Sequence, residues 1–213
     1  STSNAIHANV RQAAAFQLAA IRPSNFAKPQ SADIVAEVHQ SALVNALDIV
    51  LGDRTIRSVD LDDYAMQIAG RVSEEIKLEA EGEPWSIAFA AYRPVDIQFD
   101  DGQITVKLRI VRMTRGEQSL DDSAIVTAVY RPTYSNDGVV LHREGPVDVS
   151  FTRASRGLRV VTLRSFLKGK FDMFFKEQIV PQRLDQSSLP AGTPRFVIDS
   201  LLVDDGWVQV GLR

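Results

Sequence analysis

The side chains best suited to acid–base or metal chemistry near neutral pH are three histidines, His7, His39 and His142. No pair of them has the spacing of metal ligands, and the absence of cysteine excludes thiolate ligands, a cysteine nucleophile and disulfides. The stretch "EVHQS" places His39 two residues before Ser41, but this spacing alone does not define a catalytic dyad. Because Ser41 is a favourable helix N-cap, the start of a helix is the preferred interpretation.

Carboxylates are concentrated in four aspartate pairs: Asp62-Asp63, Asp100-Asp101, Asp121-Asp122 and Asp204-Asp205. A calcium site needs several oxygen ligands within one loop, and no EF-hand spacing is present. We interpret the pairs as solvated turn residues. The sequence also lacks the G-x-S-x-G, H-E-x-x-H, P-loop and G-x-G-x-x-G motifs. We therefore predict no catalytic residues, no metal and no cofactor, and we interpret the protein as something other than an enzyme.

The composition is that of an ordinary globular protein. Of the 213 residues, 45% are hydrophobic and 24% are charged, with a formal net charge of −3. Because there is no excess of basic residues, no nucleic-acid partner is expected. No apolar run approaches the roughly 20 residues needed to cross a bilayer, so no membrane span is predicted.

Two stretches combine strict alternation with an Asp-Gly pair: "VDIQFDDGQITVKLRI" and the closing "FVIDSLLVDDGWVQVGL". Asp-Gly between alternating runs is a strong hairpin signal, because the tightest turns need positive φ angles. We predict tight turns at Asp101-Gly102 and Asp205-Gly206. A third pair, Asp137-Gly138, follows the same pattern.

The tripeptide Tyr-Arg-Pro occurs twice, ending at Pro94 and at Pro132. The first interpretation is that both prolines end strands at one rim of the same sheet, where proline is tolerated. The second is that two tyrosines and two arginines cluster to contact an anion or a partner. Those residues are Tyr92, Arg93, Tyr130 and Arg131.

The order of these patterns predicts an α+β fold. Residues 1–31 form a poorly patterned N-terminal segment, and residues 32–213 a single domain. Helical spacing is found in Asn9–Ile21, in the stretch from Ser41 to Leu51 after a short strand "IVAEVH", in Ser58–Val72 and in Thr162–Val180. Between the last two lies a meander of β-hairpins, which indicates a twisted antiparallel sheet of roughly six to nine strands. We expect five residues to be buried by their helical spacing: Leu43, Leu47, Phe166, Phe171 and Phe174.

The phenylalanine-rich helix is the most unusual feature. Its face carries Phe166, Phe171, Phe174 and Phe175, and the inner face of the first hairpin offers Phe99, Val106 and Leu108. One interpretation is a packed core; the other is an apolar groove that binds a ligand. A helix lying on a membrane surface is a third option, but no strongly basic polar face develops.

Four stretches in this order resemble the tubular lipid-binding (TULIP-like) domains, including members from the bacterial cell envelope: "AEVHQSALVNALDIVLG", the first hairpin, "FLKGKFDMFFKEQIV" and "DDGWVQVGL". The resemblance implies a curved antiparallel sheet around a long helix, lipid held in the groove, and no catalytic residues. It also implies an exported or cell-envelope setting.

These observations lead to one expected function and two alternatives. The expected function is a non-enzymatic binding domain for a lipid or another apolar ligand. The first alternative is a structural or protein-interaction domain with a fully packed core and no ligand. The second is an enzyme whose catalytic groups form no recognisable motif.

Overall fold

The computed structural model describes residues 24–27, 29, 31–61, 83–120, 123–135, 138–152, 158–180 and 197–213. Within these ranges the chain forms twelve β-strands, two α-helices and a short 3-10 turn, Ser58–Asp60. The strands are β1 (Ile34–His39), β2 (Thr55–Arg57), β3 (Trp85–Phe89), β4 (Val95–Asp100), β5 (Gln103–Arg115), β6 (Gln118–Leu120), β7 (Ala124–Ser135), β8 (Gly138–Arg143), β9 (Asp148–Phe151), β10 (Gln178–Ile179), β11 (Ile198–Asp204) and β12 (Trp207–Leu212). The helices are α1 (Gln40–Leu51) and α2 (Leu158–Phe174). The predicted α+β class is confirmed.

The larger sheet has nine strands, all paired antiparallel. Six of them lie side by side in the order β10-β8-β7-β5-β3-β2. Strands β4 and β6 also pair with β5, and β9 pairs with β7. Directly paired residues share a face of the sheet, so the row formed by Val95, Leu108, Val126 and Val149 lies on one side. All four are buried. The alternation in the sequence therefore corresponds to one buried and one wetter face, as predicted.

The other three strands form a separate sheet in the order β1-β12-β11. The sequence predicted a single sheet of six to nine strands; the larger sheet has nine, but a second sheet is present as well. The closing hairpin pairs with β1, from the other end of the chain, along the whole of β1. Helix α1 follows β1 directly, and its first residue Gln40 donates a backbone hydrogen bond to the carbonyl of Gly206 (2.8 Å).

Both predicted Asp-Gly turns are confirmed. Asp101 and Gly102 have φ of 47° and 70°, and Asp205 and Gly206 have φ of 46° and 82°. Positive φ at both central residues of a two-residue loop defines a type I′ turn, whose twist matches that of the strands it joins. Gly138 also has positive φ, at 126°, whereas Asp137 lies outside the described residues.

Helix α2 was predicted one turn too late and extended too far, as Thr162–Val180. It begins at Leu158, so the stretch "LRVVT", with its two valines, forms the start of the helix. Its β-branched residues cost only a few tenths of a kcal/mol each in a helix, which packing readily overcomes. It ends at Phe174 because the following chain bonds to β8: the backbone N–H of Arg143 donates to the carbonyl of Glu177 (2.8 Å).

Helix α1 packs its inner side on the core through Val44, Leu47 and Leu51. Leu43 lies outside this face and is 42% exposed, so its predicted burial is wrong. Leu47 is half-buried. The predicted N-cap is also two residues too late, because the N-cap is His39 and not Ser41.

Several predictions fall outside the described residues. They are the helix Asn9–Ile21, most of the N-terminal segment 1–31 and all but the start of the helix Ser58–Val72. The predicted short strand "IVAEVH" is confirmed as β1. Pro94 directly precedes β4, as expected, but Pro132 lies within β7, paired with Leu141, so the shared-rim interpretation is wrong for Pro132.

Candidate functional site

Three of the seven residues predicted to line an apolar groove are buried in the hydrophobic core. Phe99, Leu108 and Phe171 are 2%, 9% and 3% exposed. Val106, Phe166 and Phe175 are half-buried and pack against the same core. The structure thus brings these helix and hairpin residues into contact with one apolar cluster.

Phe174 is the exception, because it is 39% exposed and its predicted burial is wrong. It is the last residue of α2, and its ring lies 5.9 Å from that of Phe171, the one aromatic ring it contacts in the described part of the chain. Phe175, immediately after the helix, lies 5.9 Å from Phe171 and 6.4 Å from the ring of Tyr130. Tyr130 therefore links the end of α2 to β7.

Polar side chains fix the end of α2 on the larger sheet. The side chain of Arg143 is 8% exposed; its Nη1 donates to the carbonyl of Phe175 and lies 3.0 Å from Oδ1 of Asp172. The hydroxyl of Tyr130 donates to the carbonyl of Lys176 (3.2 Å). A cation at a helix C-terminus is favourable because the last carbonyls lack intrahelical partners.

One face of the three-stranded sheet is formed entirely by apolar side chains, and we refer to it as the apolar face. Three directly paired rows build it, so its residues share one side of the sheet. Val203 is buried, Val38 is 42% exposed, Ala36 is exposed and the rest are half-buried. The rows are Ile34, Leu212 and Ile198; Ala36, Val210 and Leu201; and Val38, Val208 and Val203.

The opposite face of the same sheet is more polar, yet it is the better covered of the two at its centre. Gln209 is 1% exposed and its Nε2 donates to Oε1 of Glu37 (2.8 Å). A Cβ added to the neighbouring Gly211 would lie 3.1 Å from Ala32 and 3.4 Å from Pro29, so the chain before β1 crosses this face closely. The polar face is therefore covered at Gln209 and Gly211 but exposed at Glu37, Leu202 and Asp204, while eight of the nine side chains on the apolar face are half-buried or exposed.

The apolar face is continuous with the main core. Val203 belongs to the core cluster and Val208 packs against it. The two sheets meet at their Asp-Gly turns: Gly102 donates to the carbonyl of Val203 (2.8 Å) and Gly206 to that of Phe99 (2.8 Å). An apolar surface therefore extends from the packed core onto the smaller sheet.

An open depression of about 470 Å³ lies where the two turns meet the start of α1, and it is lined by His39, Gln40, Gln98, Phe99, Asp100, Asp205, Gly206 and Trp207. The His39 and Trp207 rings make an edge-to-face contact at 4.9 Å. Oε1 of Gln40 accepts the backbone N–H of Phe99 (2.9 Å), which joins α1 to β4. Two of the predicted turn pairs, at 100–101 and 204–205, thus come together here.

His39 and Ser41 are in contact, as the "EVHQS" spacing allowed. Nδ1 of His39 accepts the backbone N–H of Ser41 (3.2 Å) and lies 2.8 Å from its Oγ. Both contacts use one ring nitrogen as the acceptor, which assigns the proton of the neutral ring to Nε2. Burial lowers the pKa of His39 from its usual 6.5, while the nearby Asp205 carboxylate acts in the opposite direction. A neutral imidazole that caps a helix is the role this geometry supports.

We expect the free energy of unfolding to decrease as the pH falls below about 6.5. Because the pKa of His39 is lower in the folded state than in the unfolded chain, the unfolded chain binds the additional proton more readily, and stability follows that difference. Urea unfolding between about pH 7.5 and 5.5 measures the slope. His39→Asn keeps a capping oxygen but has no titrating group, so it should reduce the dependence of stability on pH. His39→Ala should lower the free energy of unfolding by about 1 kcal/mol at the higher pH, because the cap is lost.

His142→Asn is the matched control, since His142 is exposed on β8. It should leave the slope unchanged. The same slope in His39→Asn as in the unmodified protein would contradict the assignment of this effect to the cap.

The two Tyr-Arg-Pro tripeptides do not form one cluster. Tyr92 is 63% exposed and lies under the guanidinium of Arg93 (5.5 Å), whereas Tyr130 is 2% exposed. Arg131 forms an ion pair with Glu144 (2.5 Å), and this hydrogen bond lowers the pKa of Glu144. Tyr92 and Arg93 precede the start of β4. Tyr130 pairs with Ile104, which lies near the turn that follows the other end of β4. The anion-site hypothesis therefore loses its geometric basis.

Within the described ranges, no group of three or more His, Asp or Glu side chains is arranged to hold a metal ion. Neither of the described helices is both long enough and apolar enough to cross a bilayer.

Comparisons with known proteins give no assignment: no protein-family model and no curated protein matches the chain. Two structural features bear on its function, the apolar face and the core contacts of α2.

Proposed function

We propose that this chain is a non-enzymatic binding domain for a lipid or another apolar ligand, and that the apolar face is part of its binding surface. The proposal depends on one observation. On the smaller sheet, a face built only of apolar side chains leaves eight of its nine side chains half-buried or exposed. Apolar surface of this kind is costly in water and typically marks a place where something binds.

The chemistry of the apolar face suits a hydrocarbon chain. Its three rows contain only Ile, Leu, Val and Ala, so no side chain there would lose a hydrogen bond to water when a ligand covers it. The strand β1 spans about 20 Å at roughly 3.3 Å per residue, which gives an elongated surface. Through Val203 this surface leads to the core that holds Phe99, Leu108 and Phe171.

The contacts of α2 support the finer fold that this function needs. Trp85 on β3 meets Phe166 at 6.3 Å, and Tyr130 on β7 meets Phe175 at 6.4 Å. Strands β3 and β7 lie on opposite sides of β5 in the sheet. We infer that the sheet curves around the phenylalanine-rich helix, as in tubular lipid-binding domains, and that the protein acts in an exported or cell-envelope setting.

The second candidate is a structural or protein-interaction domain with a fully packed core and no ligand. The near-complete burial of Phe99 and Phe171 favours it, because a filled core gives the same values. It is also favoured by the outer side of α1, where Ile49 and Val50 are 73% and 54% exposed. Such an apolar helix face is suited to contact with another protein.

Titration with a fluorescent fatty acid tests the proposal. Leu201 and Leu202 are neighbours on β11 that point to the apolar face and to the polar face respectively. Leu201→Gln should weaken binding about ten-fold, because an amide on the apolar face must be desolvated when the ligand binds. Leu202→Gln, at a position that is 44% exposed, should bind as the unmodified protein does.

Equal losses in the two variants would place the ligand elsewhere on the protein. If the unmodified protein bound neither fatty acid nor an apolar dye, the interaction domain would be the better description. The melting temperature of each variant is measured first, so that unfolding is not mistaken for lost affinity.

A further inference from the structure

We propose that the outer edge of β1 pairs with β1 of a second copy of this chain, in the antiparallel register that places Ala36 opposite Ala36. This inference does not depend on the apolar face holding a ligand. Strand β1 is one of the two outer strands of the smaller sheet, whose order is β1-β12-β11. Among the described residues, no strand pairs with its outer edge. An edge of this kind is a template for pairing with another strand.

The backbone groups of Val35 and Glu37 point away from β12. In an antiparallel pair, the N–H and C=O groups of successive residues point to opposite edges of the strand. Gln40 donates its backbone N–H to the carbonyl of Gly206, at the end of β12, so the groups of every second residue before Gln40 also point to β12. Those of Val35 and Glu37 point outward, and neither has a backbone partner among the described residues.

The two edges of the smaller sheet differ in how they are protected. On the edge of β11, the carbonyl of Val203 accepts the N–H of Gly102 from the larger sheet (2.8 Å), and a bulge interrupts the pairing between Ile198 and Ser200. Strand β1 pairs with β12 without a bulge, and its six residues include neither proline nor lysine. Bulges, prolines and lysines are common means of preventing edge-to-edge association. The edge of β1 has none of them.

The side chains of β1 are complementary to those of a second β1 when Ala36 lies opposite Ala36. On the apolar face, Ile34 then lies opposite Val38 of the second copy, and on the polar face Val35 lies opposite Glu37. Ala36, Glu37 and Val38 are exposed, and Ile34 and Val35 are half-buried. Apolar residues of the two copies therefore meet on one face, while the two Glu37 carboxylates are not directly opposed.

The neighbouring registers are less favourable. The register centred on Glu37 places two carboxylates opposite each other, and the register centred on Val35 places Glu37 opposite Asp33. Like charges directly opposite each other destabilise a strand pair. A shift by a single residue would set the apolar face of one copy beside the polar face of the other. An unrelated strand could offer the same backbone groups, but the side chains that match this edge are already present in β1 itself.

The dimer would contain one continuous sheet in the order β11-β12-β1-β1-β12-β11. In this register the two-fold axis passes between the two Ala36 residues and is perpendicular to the sheet. Both apolar faces therefore lie on the same side, next to each other. Pairing of the edges thus covers the unpaired backbone groups and extends the apolar face without covering it.

A single introduced cysteine tests the register, because the chain has no cysteine of its own. Residues opposite each other in a non-hydrogen-bonded pair have Cα atoms about 4.5 Å apart, within the range that a disulfide can bridge. Ala36→Cys should therefore form a disulfide-linked dimer under mild oxidation. Val38→Cys is the matched control, since Val38 is also exposed and lies on the same face. Its two copies would lie four residues apart along the strands, or roughly 13 Å, and should not be linked.

Sedimentation equilibrium with two substitutions of Val35 tests the same pairing without a covalent link. Val35→Glu places a second carboxylate opposite Glu37 at two sites in the dimer and should raise the dissociation constant about ten-fold. Val35→Lys places an ammonium group there instead and should dimerise at least as tightly as the unmodified protein. Both variants lose the same valine, so a difference between them reports the charge opposite. Their melting temperatures are measured first, to show that both are folded.

Equal cross-linking by Ala36→Cys and Val38→Cys would overturn the proposal, as would equal dissociation constants for the two Val35 variants. So would a protein that remains monomeric at its highest soluble concentration. Val35 is paired with Gly211, on the polar face, so Val35→Glu should bind fatty acid as the unmodified protein does. A failure of dimerisation is therefore distinguishable from a failure of the proposed ligand-binding function.

Discussion

Replacing Phe171 by alanine is expected to lower the free energy of unfolding by about 3–5 kcal/mol. Phe171 is 3% exposed, belongs to the core cluster and has two other phenylalanine rings at centroid distances of 5.9 Å. Truncation removes the transfer free energy of the ring and leaves a void that close-packed neighbours fill only partly. Urea unfolding, with a check that the slope of the transition is unchanged, measures the difference.

Phe174→Ala is the matched control, because the same ring is lost from a position that is 39% exposed. Its cost should stay below about 1 kcal/mol, as is usual for surface substitutions. A similarly small cost for Phe171→Ala would mean that Phe171 borders open space. That result would support the predicted apolar groove between α2 and the first hairpin.

The parts of the fold that the sequence predicted are those decided by local physics. Alternation from Val95 to Ile110 reports which side of each strand is buried, and that depends on a period of two residues alone. Asp101-Gly102 and Asp205-Gly206 specify their turns through positive φ, a property of the two residues themselves. These features need no knowledge of the rest of the chain.

The errors arise where distant segments bond to each other. The side chains of Arg143 and Tyr130 donate hydrogen bonds to the carbonyls of Phe175 and Lys176. These bonds fix the end of α2 several residues before Pro181, where the sequence predicted it. The cap of α1 is a different kind of error, because the contact is local: the ring nitrogen of His39 accepts the backbone N–H of Ser41, two residues along the chain. The N-cap preferences favour serine and therefore pointed to Ser41.

The candidate site was only partly predictable for the same reason. The spacing of phenylalanines correctly placed Phe171 in the core but could not tell that Phe174 lies at the exposed end of α2. The apolar face was not foreseen, because it requires β1 to pair with β12, and Ile34 lies opposite Leu212 from the other end of the chain. Each strand shows its own alternation, but the pairing that assembles three of them into one surface is a long-range property.

Gly206→Ala is expected to lower the free energy of unfolding by about 2–4 kcal/mol, from two separate causes. The residue has φ of 82°, which an L-residue adopts only with strain. An added Cβ would also lie 3.0 Å from Nε2 of His39 and 3.5 Å from Cδ of Gln40. The ring of His39 must then move, and the capping contact with Ser41 that begins α1 is weakened with it.

Gly102→Ala separates the two causes. Gly102 occupies the same position of the same type of turn, with φ of 70°, but among the described residues its added Cβ would meet only Nη1 of Arg131, at 3.4 Å. It should therefore carry the backbone strain alone, about 1–2 kcal/mol. In a His39→Ala background the cost of Gly206→Ala should fall to that of Gly102→Ala, because the ring in its way is gone. Equal costs of the two glycine substitutions in the unmodified background would contradict this account. The close packing of His39 against Gly206 would then contribute nothing to joining the helix, the turn and the smaller sheet.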